Sequence, residues 1–112
     1  MRFLPEWQKV LFEVSRTHGF EENPVGDIER KLLLAVGELV EAQNELRAGH
    51  SPTEIYYNAD HPTKPEGFGI ELADAVIRIL NIAEGVHIDL AEYLELKHTY
   101  NTTRPFKHGK QF

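Results

Sequence analysis

Gly37-Glu38-Leu39-Val40-Glu41 and, further along, Glu71-Leu72-Ala73-Asp74 carry two carboxylate pairs, each spaced i, i+3. On a helix that spacing projects both side chains from one face, about a turn apart. Helical periodicity surrounds both pairs. From Ile28 to Ala48, residues Ile28, Leu32, Ala35, Val36, Leu39, Val40 and Leu46 share one apolar arc, with Lys31, Glu38, Glu41 and Glu45 opposite. From Glu66 to Glu84, the arc is Leu72, Ala73, Val76, Ile77, Ile79, Leu80 and Ala83, while Glu71, Asp74, Arg78 and Asn81 line the other side. Leu34 falls among the charges of the first of these helices, where a solvated face does not favour a large apolar residue. That argues for something covering the acidic side.

Stop and start signals frame these helices. Asp27 is suited to N-cap the first of them, Gly49 stops it, and Gly85 ends the second. Upstream, Pro5 suits the first turn of a helix running to His18, and Trp7, Val10, Leu11 and Val14 have the spacing of a buried stripe. Gly19 ends it, and residues 20–26 read as a loop. Downstream, Asp89 with Glu92 forms a capping-box pattern for a helix to Thr102, halted before Pro105. On it Tyr93, Lys97, Tyr100, Asn101 and Arg104 fall on one face. Between the two acidic helices, Ser51-Pro52-Thr53-Glu54 also has the capping-box pattern and predicts a short helix through Tyr57. Asn58-Ala59-Asp60-His61-Pro62-Thr63-Lys64-Pro65 is expected to hold no regular structure, given its prolines and turn formers. This connection of about 16 residues is longer than helix packing requires, as lids and binding segments often are. With no strand-period segment and no repeat, the expectation is one domain over residues 1–112, an all-α, four-helix-bundle-like fold with a basic tail from about 103.

Composition narrows the function classes. No apolar run approaches the roughly 18 residues of a membrane span, and the N-terminus lacks the apolar core of a signal peptide, so the expected setting is the cytoplasm with no membrane partner. Cysteine is absent, which excludes disulfides and thiolate metal sites. The net charge is −6, unevenly placed: residues 1–96 hold all 18 acids against 8 of the 12 Lys and Arg. An acidic body argues against nucleic-acid binding through phosphate neutralisation. The basic end suits a small anion, a negative partner surface, or solvent alone.

By spacing alone the acidic pairs fit two readings. One is a pair of exposed helix faces, with Asp74 and Arg78 as an ordinary i, i+4 ion pair. The other sets Glu38, Glu41, Glu71 and Asp74 across one seam of antiparallel helices. Uncompensated, four close carboxylates repel and their pKa values rise, a cost that a bound cation removes. Oxygen ligands without the Glu-x-x-His pattern of di-iron bundles suit Mg²⁺, or Mn²⁺.

Glu38-x-x-Glu41 followed by Glu71-x-x-Asp74, all helical, resembles the signature of the MazG-like nucleotide pyrophosphohydrolases, of the all-α NTP pyrophosphatase superfamily. Gly67-Phe68-Gly69-Ile70-Glu71 through Arg78, and Lys97-x-x-x-Asn101-x-x-Arg104-Pro105-x-x-His108-Gly109-Lys110, look like the same family. The resemblance covers about residues 5–110. It implies Mg²⁺-dependent hydrolysis of a nucleoside triphosphate to the monophosphate and pyrophosphate, in the manner of nucleotide-pool cleaning. It implies Glu38, Glu41, Glu71 and Asp74 as metal ligands and catalytic carboxylates, one of them orienting or deprotonating water. Lys97 and Arg104 would stabilise charge on the phosphates, Asn101 would bond phosphate or sugar, and Lys107 and Lys110 extend the basic run. It also implies a homodimer or homotetramer whose active sites draw on more than one chain. Gly37 stands where many relatives have a further glutamate, and Glu45, a turn beyond Glu41, reads either as an assistant or as solvent-facing. For the base, Trp7, His18, Tyr56, Tyr57 and Phe68 are the candidates, with Tyr56 and Tyr57 as parts of a lid. The competing expectation is a non-catalytic helical oligomer or regulatory binding module with the same fold.

Overall fold

The computed structural model describes residues 1–105. The elements run α1 (Leu4–Thr17), α2 (Ile28–Arg47), β1 (Tyr56–Asn58), β2 (His61–Glu66), α3 (Phe68–Gly85) and α4 (Leu90–Thr102). The mostly helical expectation is met, and each helix lies within two residues of its expected bounds. Lys107 and Lys110 fall outside the described residues.

The centre is α3, which packs along α2 on one side and α1 on the other. The α2–α3 seam is built on small residues: Ala35, Ala42 and Ala75 are buried there, and Leu80 and Ala83 continue the core towards α1. Alanines let the two helix backbones approach closely, so the side chains flanking them are drawn into the seam. On α2 the turns beside Ala35 and Ala42 carry Lys31, Glu38 and Glu45, and these are buried or half-buried. The acidic face thus points inward. The apolar arc points out: Leu32, Val36, Leu39 and Val40 are about half exposed, and Val76 and Ile79 of α3 join them.

The chain is extended for its size. Its radius of gyration is 16.7 Å, against about 13 Å for a compact chain of this length. Its accessible surface is 8594 Å², where a compact monomer of this mass exposes about 6,300 Å². Among the helices, α4 has no buried residue and packs mainly on α1.

On α1 the buried position is Gln8, not the Trp7–Val10–Val14 stripe, which stays 37–55% exposed. Gln8 Nε2 donates to Glu84 Oε1 (2.9 Å) and the Ile88 carbonyl (2.6 Å), and its Oε1 accepts from the Leu90 amide (3.3 Å), which pins α1 to the α3–α4 corner.

Three helices close in Schellman turns, with Gly19 and Gly49 at the left-handed position for α1 and α2. The third, after α3, uses His87 (φ 62°) rather than Gly85. Gly85 is the last residue of α3 and has a different role. A Cβ there would lie 2.7 Å from Pro24 Cβ and 3.4 Å from the Phe12 ring, so it lets α1 and the loop after it come close.

The connection between α2 and α3 departs from expectation. Glu54 does accept from the Ser51 amide (3.3 Å), but no helix follows. The chain enters an antiparallel hairpin, Tyr56 opposite Glu66 and Asn58 opposite His61, with an irregularity between. Ile55-Tyr56-Tyr57 favours a strand over a helix. Pro62 and Pro65 are tolerated because a two-stranded ribbon consists only of edges.

Candidate metal centre and adjoining cleft

Three of the four expected carboxylates converge. Glu38 of α2 and Glu71 and Asp74 of α3 each offer an oxygen, and these atoms lie within 4.8 Å of one another. All three are half-buried. Glu41, a turn along α2, is exposed and stands outside this group, yet its charge still bears on Glu71.

Electrostatics records the crowding. Burial, hydrogen bonding with Glu38 and the charges of Asp74, Glu38 and Glu41 push Glu71 up to about 7. Burial and the Glu38 charge also raise Asp74, against the pull of Arg78 and Lys64. Arg78 does not remain with Asp74 as a surface pair. Its Nε donates to Glu38 Oε1 at 2.8 Å across the α2–α3 seam. Lys64, from β2, is a cation that sequence reasoning missed. The available signal was its place in the connection just ahead of α3.

Glu45 belongs to another structure. The Tyr56 hydroxyl donates to its carboxylate, 2.8 Å from each oxygen, and the His50 ring stacks on Tyr56 at 4.3 Å with the planes 12° apart. The bond to Glu45 pushes the Tyr56 phenol up to about 12. Glu45 and Tyr56 therefore anchor the hairpin to α2, and the Glu45 side chain, 15% exposed, is not solvent-facing. Tyr57 is exposed on the hairpin.

On α4, Tyr100 lies between two cations, with Lys97 Nζ 4.9 Å and the Arg104 guanidinium 5.5 Å from its ring centroid. The expected shared face is present. Among the described residues, however, no hydrogen bond or ion pair links Lys97, Asn101 or Arg104 to the acidic group.

Beside the acids a cleft of about 520 Å³ opens between α1, α2 and α3. Glu38, Asp74 and Arg78 line it, and Leu11, Val14, Leu34 and Ile77 contribute its apolar wall. Glu21 and Lys31 line it as a buried ion pair, with Ser15 Oγ donating to Glu21 Oε2 at 2.8 Å. Leu34, out of place by periodicity, is cleft wall. None of Trp7, His18, Tyr56, Tyr57 and Phe68 lines the cleft; the aromatic side chain there is Phe20.

No family model, no curated protein and no solved structure matches the chain.

Among the described residues no helix is long and apolar enough to cross a membrane.

Proposed function

We propose that the protein is a metal-dependent nucleoside triphosphate pyrophosphohydrolase that converts an NTP or dNTP and water to the monophosphate and pyrophosphate. The observation that carries this reading is the convergence of Glu38, Glu71 and Asp74. Three half-buried carboxylates with oxygens within 4.8 Å of one another are an all-oxygen donor set, which suits a hard divalent cation such as Mg²⁺ or Mn²⁺. Burial above all, with the neighbouring carboxylates, pushes Glu71 and Asp74 upward, a cost that a bound cation would offset.

Glu38, Glu71 and Asp74 would hold the ion, with Glu41 at the edge. When bound, a divalent cation neutralises polyphosphate oxygens and lowers the pKa of water. The chain's own residues complete the arrangement. Arg78 fixes the Glu38 carboxylate by its 2.8 Å bond and so orients one ligand. Lys64, carried by the hairpin, brings a positive charge close enough to act on Asp74, where it can meet phosphate. Glu45 and Tyr56 hold the hairpin in that position.

A second copy of the chain completes this reading. The apolar faces of α2 and α3 are bare, and the surface exceeds that of a compact monomer by about 2,000 Å², the scale of a stable interface. Lys97, Asn101 and Arg104 would then serve the acidic cluster of a neighbouring chain, in keeping with the active sites built from more than one chain that the resemblance implies. The competing reading, a helical module without catalysis, draws on the Arg78–Glu38 bond, which already satisfies one carboxylate. One experiment separates them: incubation with a panel of canonical and modified NTPs and dNTPs, with Mg²⁺ or Mn²⁺ or neither, and measurement of pyrophosphate. The enzyme reading expects metal-dependent release from at least one nucleotide. Release from none, with either metal, ends it.

A further inference from the structure

His50 stands where α2 gives way to the segment that leads into the hairpin. Its amide donates to the Glu45 carbonyl at 3.1 Å, in the turn that closes α2, and its ring lies flat against Tyr56 of β1. The two ring nitrogens each have a carboxylate beside them. Nε2 is 3.8 Å from Glu45 Oε2, and Nδ1 is 3.1 Å from Glu54 Oε1. Both carboxylates are held in place by other groups as well. Glu45 takes the Tyr56 hydroxyl, and Glu54 accepts from the Ser51 amide. Gly67 approaches the Glu54 carbonyl so closely that a Cβ there would clash, which keeps residue 54 against the start of α3. The half-buried imidazole therefore sits in a preset place between two anions.

Such a place distinguishes the two forms of the ring. Neutral imidazole has one N–H and can serve one carboxylate, whereas imidazolium has an N–H for each. The titratable and charged groups around the ring come from every element that meets it. They are Glu45 from α2, Glu54 from the connection and the Tyr56 phenol from β1, with Glu66 of β2 near enough for its charge to act on that phenol. On β2, Lys64 lies 3.9 Å from Glu66, and His61 stands at the first position of the strand.

We propose that His50 is a proton-operated latch on the hairpin. Charged, it ties the hairpin to the end of α2 through Glu45 and Glu54; neutral, it lets the hairpin loosen. Histidine is the side chain that changes charge between about pH 5 and 8. Without the proton both ion pairs lapse, so docking weakens as pH rises through that interval. Lys64 is carried on the hairpin, so the same proton governs how much positive charge reaches Asp74. None of the latch residues lines the cleft, and the latch operates whether or not the chain cleaves nucleotides.

The test uses the full chain free of nucleotide and metal. A two-stranded ribbon is marginal in water by itself, so the amides that pair β1 with β2 resist hydrogen exchange only while the ribbon is docked. Their protection, corrected for the intrinsic effect of pH on exchange, should fall about 3- to 10-fold between pH 5.5 and pH 7.5, the scale of two partly exposed ion pairs. His50→Phe keeps a ring to stack on Tyr56 and removes the charge. It also retains His61, so any titration of that residue is subtracted. Its protection should change by less than about 1.5-fold over the same interval. Glu54→Gln keeps an acceptor for the Ser51 amide and removes one of the two charges, so its fall should be about half that of wild type on a logarithmic scale. It decides the matter if the phenylalanine variant does not fold. Flat protection in wild type overturns the proposal, as does a fall in either variant equal to that of wild type.

Discussion

Two acidic sites lie along the inner face of α2. At one end Glu21 and Lys31 are buried, their side chains 3% and 9% exposed, and Ser15 satisfies a further carboxylate oxygen. At the other, Glu38, Glu71 and Asp74 crowd together, with Arg78 bonded to Glu38 and Lys64 acting on Asp74. One acid there has a matched cation. Three acids here share two cations, one of them partly engaged elsewhere, since Lys64 also lies 3.9 Å from Glu66. The difference separates an acid whose charge is balanced within the fold from acids whose charge is balanced only in part, and it does not follow depth of burial alone.

Substitution should affect the two sites in opposite ways. The largest effect is expected on activity. Glu38→Gln and Asp74→Asn should each lower metal-dependent turnover by at least about 100-fold while circular dichroism stays unchanged. Full turnover in both variants would take these residues out of the site. Next comes stability at the balanced site. Glu21→Ala leaves Lys31 buried without a counter-charge and should cost about 3 kcal/mol, seen as a melting temperature lower by roughly 15 °C. A drop of only a degree or two would mean that the pair is not what closes that end.

A smaller effect concerns pH. Glu71 has a folded pKa near 7, above its ordinary value of 4.5, so the folded chain binds the proton more tightly than the unfolded chain. The associated stability is complete below about pH 4.5 and is lost as pH rises to about 7. With solvent screening this amounts to on the order of 1 kcal/mol. Thermal melts of metal-free protein should therefore fall by about 5 °C between pH 5 and pH 8 from this group, and Mg²⁺ should restore the loss at pH 8. A melt at pH 8 that Mg²⁺ leaves unmoved would place the cation elsewhere. The smallest effect should come from Tyr56→Phe, which removes the hydroxyl bond to Glu45 at a cost of about 1 kcal/mol, measured by urea unfolding. Its kcat/KM should fall less than that of Asp74→Asn, because it acts only through the hairpin that carries Lys64.

Helix existence and limits were legible because capping residues, glycines and apolar spacing act locally. The pairing of the acidic helices was legible as well, and Leu34 hinted at a covered face. What periodicity misassigned was direction. It takes the apolar arc as the inner face, whereas Ala35, Ala42 and Ala75 set the seam and turn the acids inward. The Glu21–Lys31 pair lay beyond reach because one partner sits in a loop and the other on a wheel face that reads as exposed. Lys97 and Arg104 do share the Tyr100 ring, and among the described residues no hydrogen bond or ion pair joins them to the acids.

The hairpin escaped sequence reading because of Pro62 and Pro65, and those prolines have a further consequence. Of the six residues of β2, two offer no N–H, and Lys64 between them adds charge. A bare strand edge ordinarily invites another chain to add itself and continue the ribbon, the first step towards aggregation. Here that template is interrupted. The same residues that let the strand pass for a loop let it stand in solvent without recruiting its neighbours.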